Sequence, residues 1–347
     1  MISAPTENSY VNAQAQKRET RPVFVVGCHR SGTNLLYDML LSSGAFAVYR
    51  GYIPVYKMLV PRYGSLHRTE SRRKIVDTWL HSKGFRRSGL DAQQLAKTLM
   101  ESCRNGGDFI RVVMDGVARE QGMSRWAVYD ADNVLYIPEI KADIPEALFV
   151  HIVRDGRDIA LSLRKMGEFR PVPWRRRPAS LPATALYWRW MVETGRKYGR
   201  LFPNDYIEVR YEELVNAPQQ ILQELGRFLG SNLDYAQIKT NKLGRMKESN
   251  SSFADSRTAA DSSPVNRWKK LLSEEEVAGL ETLIGDCLEQ FGYELTVHPR
   301  NRQLHVQQTF MRNVYPRLLA TKLWLKTRTL AGRFSNLSAL ELAEPAE

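Results

Sequence analysis

Three short runs of consecutive apolar residues punctuate the chain, each bounded by polar turns and each leading toward apolar positions at helical spacing. The first, Val23-Phe24-Val25-Val26, passes through Gly27-Cys28-His29-Arg30-Ser31-Gly32 into Leu35, Leu36, Met39 and Leu40, with Gly44 placed to end that helix. The second, Leu148-Phe149-Val150-His151-Ile152-Val153, leads through Arg154-Asp155-Gly156-Arg157-Asp158 into another helix start. The third, Tyr206-Ile207-Glu208-Val209, runs on past Arg210 and Tyr211. Uninterrupted apolar runs of this length read as strands buried on both faces. Asn216 and Pro218 open a helix that carries Ile221, Leu222, Leu225, Phe228 and Leu229 on one face and closes at Gly230. Ser273 and Glu276 form a capping box ahead of the stripe Val277, Leu280, Leu283, Ile284, Cys287, Leu288 and Phe291, which stops at Gly292. This alternation predicts an α/β fold, a parallel sheet with helices on both faces. No internal repeat is present.

Composition narrows the class. The 347 residues are 43% hydrophobic and 25% charged, ordinary values for a globular protein with a sizeable core. Cys28, Cys103 and Cys287 are an odd number, widely spaced and without a C-x-x-C pair, which argues against a disulfide framework and a zinc site and for a reducing compartment. Residues 1–22 are polar, unlike a signal peptide, and no apolar stretch approaches a membrane span, so a cytoplasmic, soluble protein is expected. The net charge of +12 is concentrated: eight Lys or Arg and no acid lie between positions 298 and 334, leaving 42 basic against 38 acidic residues elsewhere. A second basic cluster, Arg175-Arg176-Arg177, sits in a proline-rich loop over 170–182. Without a recognition motif, this charge does not indicate a nucleic-acid binder. The chain divides into a disordered segment 1–20, a main domain 21–297 and a basic amphipathic extension 298–347. Residues 243–265, rich in Ser, Asp and Asn, read as a loop or lid.

The turn after the first strand carries chemistry. A glycine-rich strand-to-helix turn offers unpaired N–H groups and the positive end of the helix dipole to an anion. Gly27 and Gly32 stand five apart, as in a phosphate loop of the Walker A type, so the expected sheet is of the P-loop type. The following Thr33 and Asn34 replace the Lys and Ser or Thr that a triphosphate hydrolase or kinase requires, and the loop's charge comes from Arg30 instead. Arg154 lies at the C-terminal end of the second strand, where parallel sheets bind ligands, with Ser162 eight residues on. Together they suggest a second phosphate pocket, separate from the first. Simpler readings stand beside both: a tight turn without a ligand, and a surface turn with internal ion pairs around a small helical serine.

These residues resemble the sulfotransferase family that uses 3′-phosphoadenosine-5′-phosphosulfate (PAPS), in particular its bacterial branch. Residues 23–40 look like the family's 5′-phosphosulfate loop, and Ala-Leu-Phe-Val-His-Ile-Val-Arg-Asp-Gly-Arg-Asp-Ile-Ala-Leu-Ser-Leu over 147–163 is similar to its 3′-phosphate segment. Val-Arg-Tyr-Glu-Glu-Leu within 206–230 and Asn266-Arg267-Trp268-Lys269 resemble two further motifs, so the likeness spans roughly 21–295. The resemblance implies PAPS as donor co-substrate, the bisphosphate PAP as product and no metal. It gives the 5′-phosphosulfate to the backbone of Gly27 to Asn34 with the Arg30, Ser31 and Thr33 side chains, and the 3′-phosphate to Arg154 and Ser162. It sets Tyr211 near the adenine and brings Arg267 toward the 3′-phosphate from a lid. Arg30 is then the expected catalytic cation, on the departing phosphate.

The general base departs from the family. Relatives commonly carry a Glu where this chain reads Tyr49-Arg50-Gly51-Tyr52, and a Thr-Pro pair soon after the tryptophan aligned with Trp126, where this chain reads Ala127-Val128-Tyr129-Asp130-Ala131-Asp132. Asp130 or Asp132 is the expected substitute, a helix-cap or turn role being the competing reading. His67 and His81 are further candidates without motif support, and His151, mid-strand, reads as buried structure. Loss of the base would instead make the chain a non-catalytic PAP- or PAPS-binding relative. The acceptor, a small molecule, glycan or lipid, is not encoded in any motif, although Trp174, Tyr187, Trp188 and Trp190 are candidates to line its pocket or the core. In the tail, Phe310, Val314, Leu318, Leu319, Leu323, Trp324 and Leu325 interleave with Arg312, Arg317, Lys322, Lys326 and Arg328, with Pro316 expected to interrupt the helix. Such a segment contacts an anionic membrane surface, the protein's own core or a dimer partner.

Overall fold

The apolar runs become neighbouring strands of a four-stranded, all-parallel sheet. In this computed structural model, which describes residues 18–166, 179–243, 265–296 and 306–342, the strands are β1 (Val23–Gly27), β2 (Ala127–Tyr129), β3 (Leu148–Val153) and β4 (Tyr206–Arg210), in the order β2-β1-β3-β4. Val23 lies opposite Ala127 on one side and Leu148 on the other, and Val153 opposite Arg210. β2 was not visible in the sequence, because three residues are too short a run to stand out. Segment 1–17, Trp174 with the Arg175-Arg176-Arg177 cluster, most of the 243–265 segment and residues 297–305 lie outside the described residues.

The helices that shape the site are α1 (Thr33–Ser42), α2 (Lys83–Arg86), α3 (Gly156–Lys165), α4 (Leu181–Gly199), α5 (Pro218–Leu229), α6 (Glu274–Gln290) and α7 (Val306–Arg328). Alternate strand residues feed two separate cores. Val23, Val25, Leu148, Val150 and Ile152 pack with Leu36 and Leu40 of α1 and Leu222 and Leu225 of α5. Phe24, Val26, Phe149 and Val153 pack with Ile159 of α3, Leu186 and Met191 of α4 and Leu280 and Ile284 of α6. Helices therefore cover both faces, and β1 and β3 are buried throughout, whereas the edge strand β4 is half-buried and carries Glu208 and Arg210. The capping box forms as expected: Ser273 Oγ accepts from the Glu276 N–H at 3.2 Å while Glu276 Oε2 accepts from the Ser273 N–H at 3.1 Å. His151 is enclosed, its Nδ1 2.5 Å from the Tyr206 hydroxyl, and burial lowers its pKa to about 4.

The tail helix differs from expectation. α7 runs unbroken through Pro316, since a proline forfeits one helical hydrogen bond and the flanking Tyr315 and Leu319 are buried in the same core as the sheet. Arg312 Nη2 also reaches Asp286 Oδ2 of α6 at 2.6 Å. Phe310, Trp324 and Phe334 remain exposed, so the segment docks on the body with one side and presents apolar side chains outward with another. Among the described residues no helix is long and apolar enough to cross a membrane.

Candidate functional site

Because β1 and β3 are adjacent, the turns at their C-terminal ends adjoin. Gly27 must be glycine: a Cβ there would stand 2.6 Å from the Ile152 carbonyl oxygen. Gly32, with φ of +100°, turns the chain into α1, and a Cβ on it would meet the Tyr211 ring at 2.4 Å. No side chain caps the start of α1, so its first N–H groups face the cleft in the manner of an anion site. The buried Ser31 hydroxyl has no hydrogen-bond partner among the described residues. Arg30 adopts a left-handed backbone conformation with φ of 73°.

The second turn is pinned more heavily. The Arg154 guanidinium lies 4.6 Å from the Tyr211 ring centroid, Nη1 donates to the Arg30 carbonyl at 3.2 Å and Nη2 to Asp158 Oδ2 at 3.3 Å. Asp158 also accepts from the Asn266 and Trp268 N–H groups at 3.1 and 2.9 Å, which brings Arg267 to the same place. Behind it Arg157 is sandwiched between Asp155 (2.7 Å) and Glu281 (2.6 Å), with its guanidinium 3.7 Å from the Trp268 ring centroid. The internal ion pairs foreseen for a surface turn are thus present, but buried.

The two candidate phosphate sites are not separate. Arg30 Nε donates to Ser162 Oγ at 3.1 Å, joining the loop after β1 to helix α3 after β3. A single cleft of about 790 Å³ contains Arg30, Gly32, Thr33, Asn34, Arg154, Ser162, Tyr211 and Arg267 together. Tyr211 is only 7% exposed, its ring spent against Gly32 and under Arg154.

At the other end of the cleft lies a cluster only partly foreseen. Asp130 begins a 3₁₀ turn (Ala131–Tyr136): its Oδ1 accepts from the Asp132 N–H at 3.0 Å, while its buried Oδ2 has no partner among the described residues. Burial, opposed by Lys57, raises its pKa. Asp132 is held in common by His29, whose Nε2 is 3.1 Å from Oδ2, and by the ammonium of Lys57 on the same oxygen. Burial would raise the Asp132 pKa, but the charges of His29 and Lys57 hold it well below the carboxylate range. For His29, burial disfavours the cation, yet the Asp132 charge prevails and raises its pKa above 6.5. Lys57 sits on a π-helical turn, Val55–Leu59, a distortion frequent at functional sites. From α7, Lys326 faces this cluster, its pKa lowered to about 8 by burial and by Lys57.

His29 and Lys57 were missed, the first because its position in the loop was read for backbone shape alone, the second because no motif surrounds it. His67 and His81 are exposed and do not line the cleft. Trp188 is core, donating from Nε1 to the Arg154 carbonyl at 3.0 Å, and Tyr187 is buried beside it. Among the described residues no group of three or more His, Cys, Asp or Glu is arranged to hold a metal.

A family model described as the sulfotransferase family matches residues 22–235, the whole sheet and both turns. The chain belongs to the sulfotransferase family. Solved structures place this family member alongside the sulfotransferase domain from the curacin biosynthetic pathway, at 17% identity, a TM-score of 0.54, and coverage of 79% of this chain and 98% of that one, which shows a shared fold. The sulfotransferase domain of the Synechococcus PCC 7002 olefin synthase matches at 15% identity over 80% and 96% of the two chains, with a TM-score of 0.48. Retinol dehydratase in a complex with retinol and PAP matches at 16% over 81% and 84%, with a TM-score of 0.40. No curated protein sequence matches the chain.

Proposed function

We propose that this sulfotransferase-family protein moves a sulfuryl group from PAPS to an acceptor hydroxyl or amine. The observation that carries the reading is the Arg30–Ser162 contact, which joins an uncapped helix N-terminus to a buried arginine site within one cleft. A nucleoside with phosphoryl groups at both 3′ and 5′ positions spans two such ends. In this reading the α1 N–H groups, with the Ser31 and Thr33 hydroxyls, hold the 5′-phosphosulfate, and the partnerless Ser31 Oγ gains a partner. Arg154, Ser162 and Arg267 hold the 3′-phosphate, and Arg30 lies between the two ends. Tyr211 packs against Gly32 and Arg154 and lines the cleft near the adenine.

The acceptor oxygen or nitrogen attacks sulfur, the bond between sulfur and the 5′-phosphate oxygen breaks, and PAP leaves with the added negative charge. Donors aimed at that charge strengthen in the transition state and so raise turnover rather than affinity alone. The acceptor's proton goes to His29. Its Nε2 is engaged by Asp132, which sets the ring's orientation and makes it more basic, and its side chain is 40% exposed at the cleft. Asp132 thus acts through His29 rather than directly, with the Lys57 ammonium and the His29 ring both on one of its oxygens, while the buried Asp130 caps the 3₁₀ turn through Oδ1.

Two outcomes are expected. PAP binds in preference to ATP, stabilising the protein by about 2.7 kcal/mol at 100-fold excess over Kd. Calorimetry then finds that Arg154→Ala weakens PAP far more than adenosine 5′-monophosphate, whereas equal losses would remove Arg154 from the 3′-phosphate. Arg30→Ala lowers turnover at saturating donor by about 10²–10³, the usual loss for one preorganised donor to developing charge. Single-turnover rates measure this with the acceptor found by mass spectrometry of an extract incubated with PAPS, as the component that gains the mass of SO₃. Near-normal turnover in Arg30→Ala would discard this account of the loop.

A further inference from the structure

The rim of the cleft away from the donor end is strongly cationic and is already occupied by a carboxylate of the same chain. Lys83, Arg86 and Arg87 lie on and just after α2, and Arg50 approaches from the segment before the π-helical turn Val55–Leu59. Their backbone is firmly tied. Ser82 caps α2 by accepting from the Phe85 N–H at 3.1 Å, and the Tyr49 hydroxyl donates to the Gly84 carbonyl at 3.1 Å. A Cβ at Gly84 would stand 2.4 Å from the Tyr52 carbonyl oxygen, and Arg87 Nη1 donates to the Arg50 carbonyl at 2.8 Å. Arg50, Lys83 and Arg87 all line the same cleft as Arg30 and Arg154.

Onto this patch the C-terminal segment delivers Glu341. Leu340 is 2% exposed and anchors the segment in the core, and Arg62 Nη1 holds the Arg333 and Ser335 carbonyls. Glu341 then turns back in a left-handed conformation, φ of 46°. Its carboxylate pairs with the Lys83 ammonium, and its carbonyl accepts from Arg86 Nη2 at 3.1 Å. The Lys83 contact, then the Arg87 and Arg86 charges, hold the Glu341 carboxyl below its ordinary pKa. The Lys83 and Glu341 side chains are 40% and 60% exposed, so this pair is weak and exchangeable.

We infer that the Arg50–Lys83–Arg87 rim is an acceptor subsite for an anionic group, a carboxylate, sulfate or phosphate ester, with Glu341 its intramolecular occupant until the acceptor displaces it. The inference rests on the donor reading, since it assigns the remaining end of that cleft to the acceptor. Charge supports it. With the donor's anions at Arg30, Arg154 and Arg267, and with Lys57 on Asp132, the other Lys and Arg lining the cleft among the described residues are Lys83, Arg87 and Arg50, the last also reaching Asp38 Oδ2 at 3.4 Å. A tied backbone presenting arginine forks is preorganised for a bidentate anion.

The test titrates PAP-loaded protein by calorimetry with phenyl phosphate and with benzyl alcohol, a neutral molecule of similar shape. Phenyl phosphate is expected to bind at least about tenfold tighter, and Lys83→Ala with Arg87→Ala to remove about that factor, as for charged hydrogen bonds. Glu341→Gln is expected to tighten phenyl phosphate by about two- to fivefold, the range of an exposed ion pair given up. A gain of affinity cannot come from a damaged fold. Equal binding of the two probes, or phenyl phosphate binding indifferent to both the rim and the Glu341 changes, overturns the inference. Failure of PAP to bind in the first step instead strikes the donor reading, and the rim is then tested by the same variants without PAP.

Discussion

His29→Gln is expected to reduce sulfuryl transfer by about 10²–10⁴, the usual contribution of a positioned general base. Glutamine keeps a polar side chain of comparable length but cannot take up the acceptor's proton. The pH profile separates this from a structural loss. His29 works as a base only when neutral, and its folded pKa lies above 6.5 because the Asp132 carboxylate prevails over burial. Turnover in the unaltered protein should therefore rise with pH through an inflection above that of free imidazole. Removing the carboxylate charge with Asp132→Asn should move the inflection down, because burial and Lys57 then act on His29 unopposed by that charge. The substitution Asp130→Asn should leave the inflection closer to its original place. An inflection that ignores Asp132→Asn, or a His29→Gln protein with ordinary turnover, would eliminate the dyad and return the role to Asp130 or to an acceptor needing no base.

The largest effect on stability is expected at Glu281, far from any reacting atom. Its carboxylate accepts from Arg157 Nη1 at 2.6 Å, from the Thr296 N–H at 3.0 Å and from the Thr296 hydroxyl at 3.0 Å, all inside the body of the protein. Glu281→Ala leaves the Arg157 guanidinium, 2% exposed, with Asp155 alone to balance it. Breaking one partner out of a buried pair costs ~3–5 kcal/mol, against ~0–1 for an exposed one. Urea denaturation should show that loss as a lower midpoint with an unchanged slope. The double change Glu281→Leu with Arg157→Met should recover much of it, since neither charge then needs solvation. If Glu281→Ala costs no more than a surface substitution, the network is not the brace described here. Because Arg157 also stacks on Trp268, the single change should additionally weaken PAP by loosening Arg267.

Much of the fold was legible in local order. The runs at 23–26 and 148–153 are strands because predominantly apolar segments are buried between two helical layers, the half-buried run at 206–209 adds the edge strand, and the glycines at 44, 230 and 292 end helices or their turns with positive φ. The loop from Gly27 to Asn34 was legible as a tight strand-to-helix turn because backbone shape and glycine spacing are short-range properties. The tail was harder. Its helix looked terminable at Pro316, yet burial of Tyr315 and Leu319 outweighs one lost hydrogen bond, a balance set by residues far along the chain.

Tyr211 and the base show the limit more sharply. Family likeness set Tyr211 beside the adenine, and what it did not show is that the Tyr211 ring also fills the space left by Gly32, which lacks a side chain. Asp132 was visible as a carboxylate, and its meaning changed once His29, 103 positions away, and Lys57 met on one of its oxygens. By itself, then, the sequence determined the class of fold and the family, because those depend on apolar runs, turns and contiguous motifs. Only the tertiary structure decided that Arg30 and Ser162 join two sites into one, that His29 shares Asp132 with Lys57, and that Glu341 returns to Lys83. Each of those rests on groups brought together across the sheet or from the far end of the chain, and electrostatic interaction depends on distance in space and on burial, neither of which is written in sequence separation.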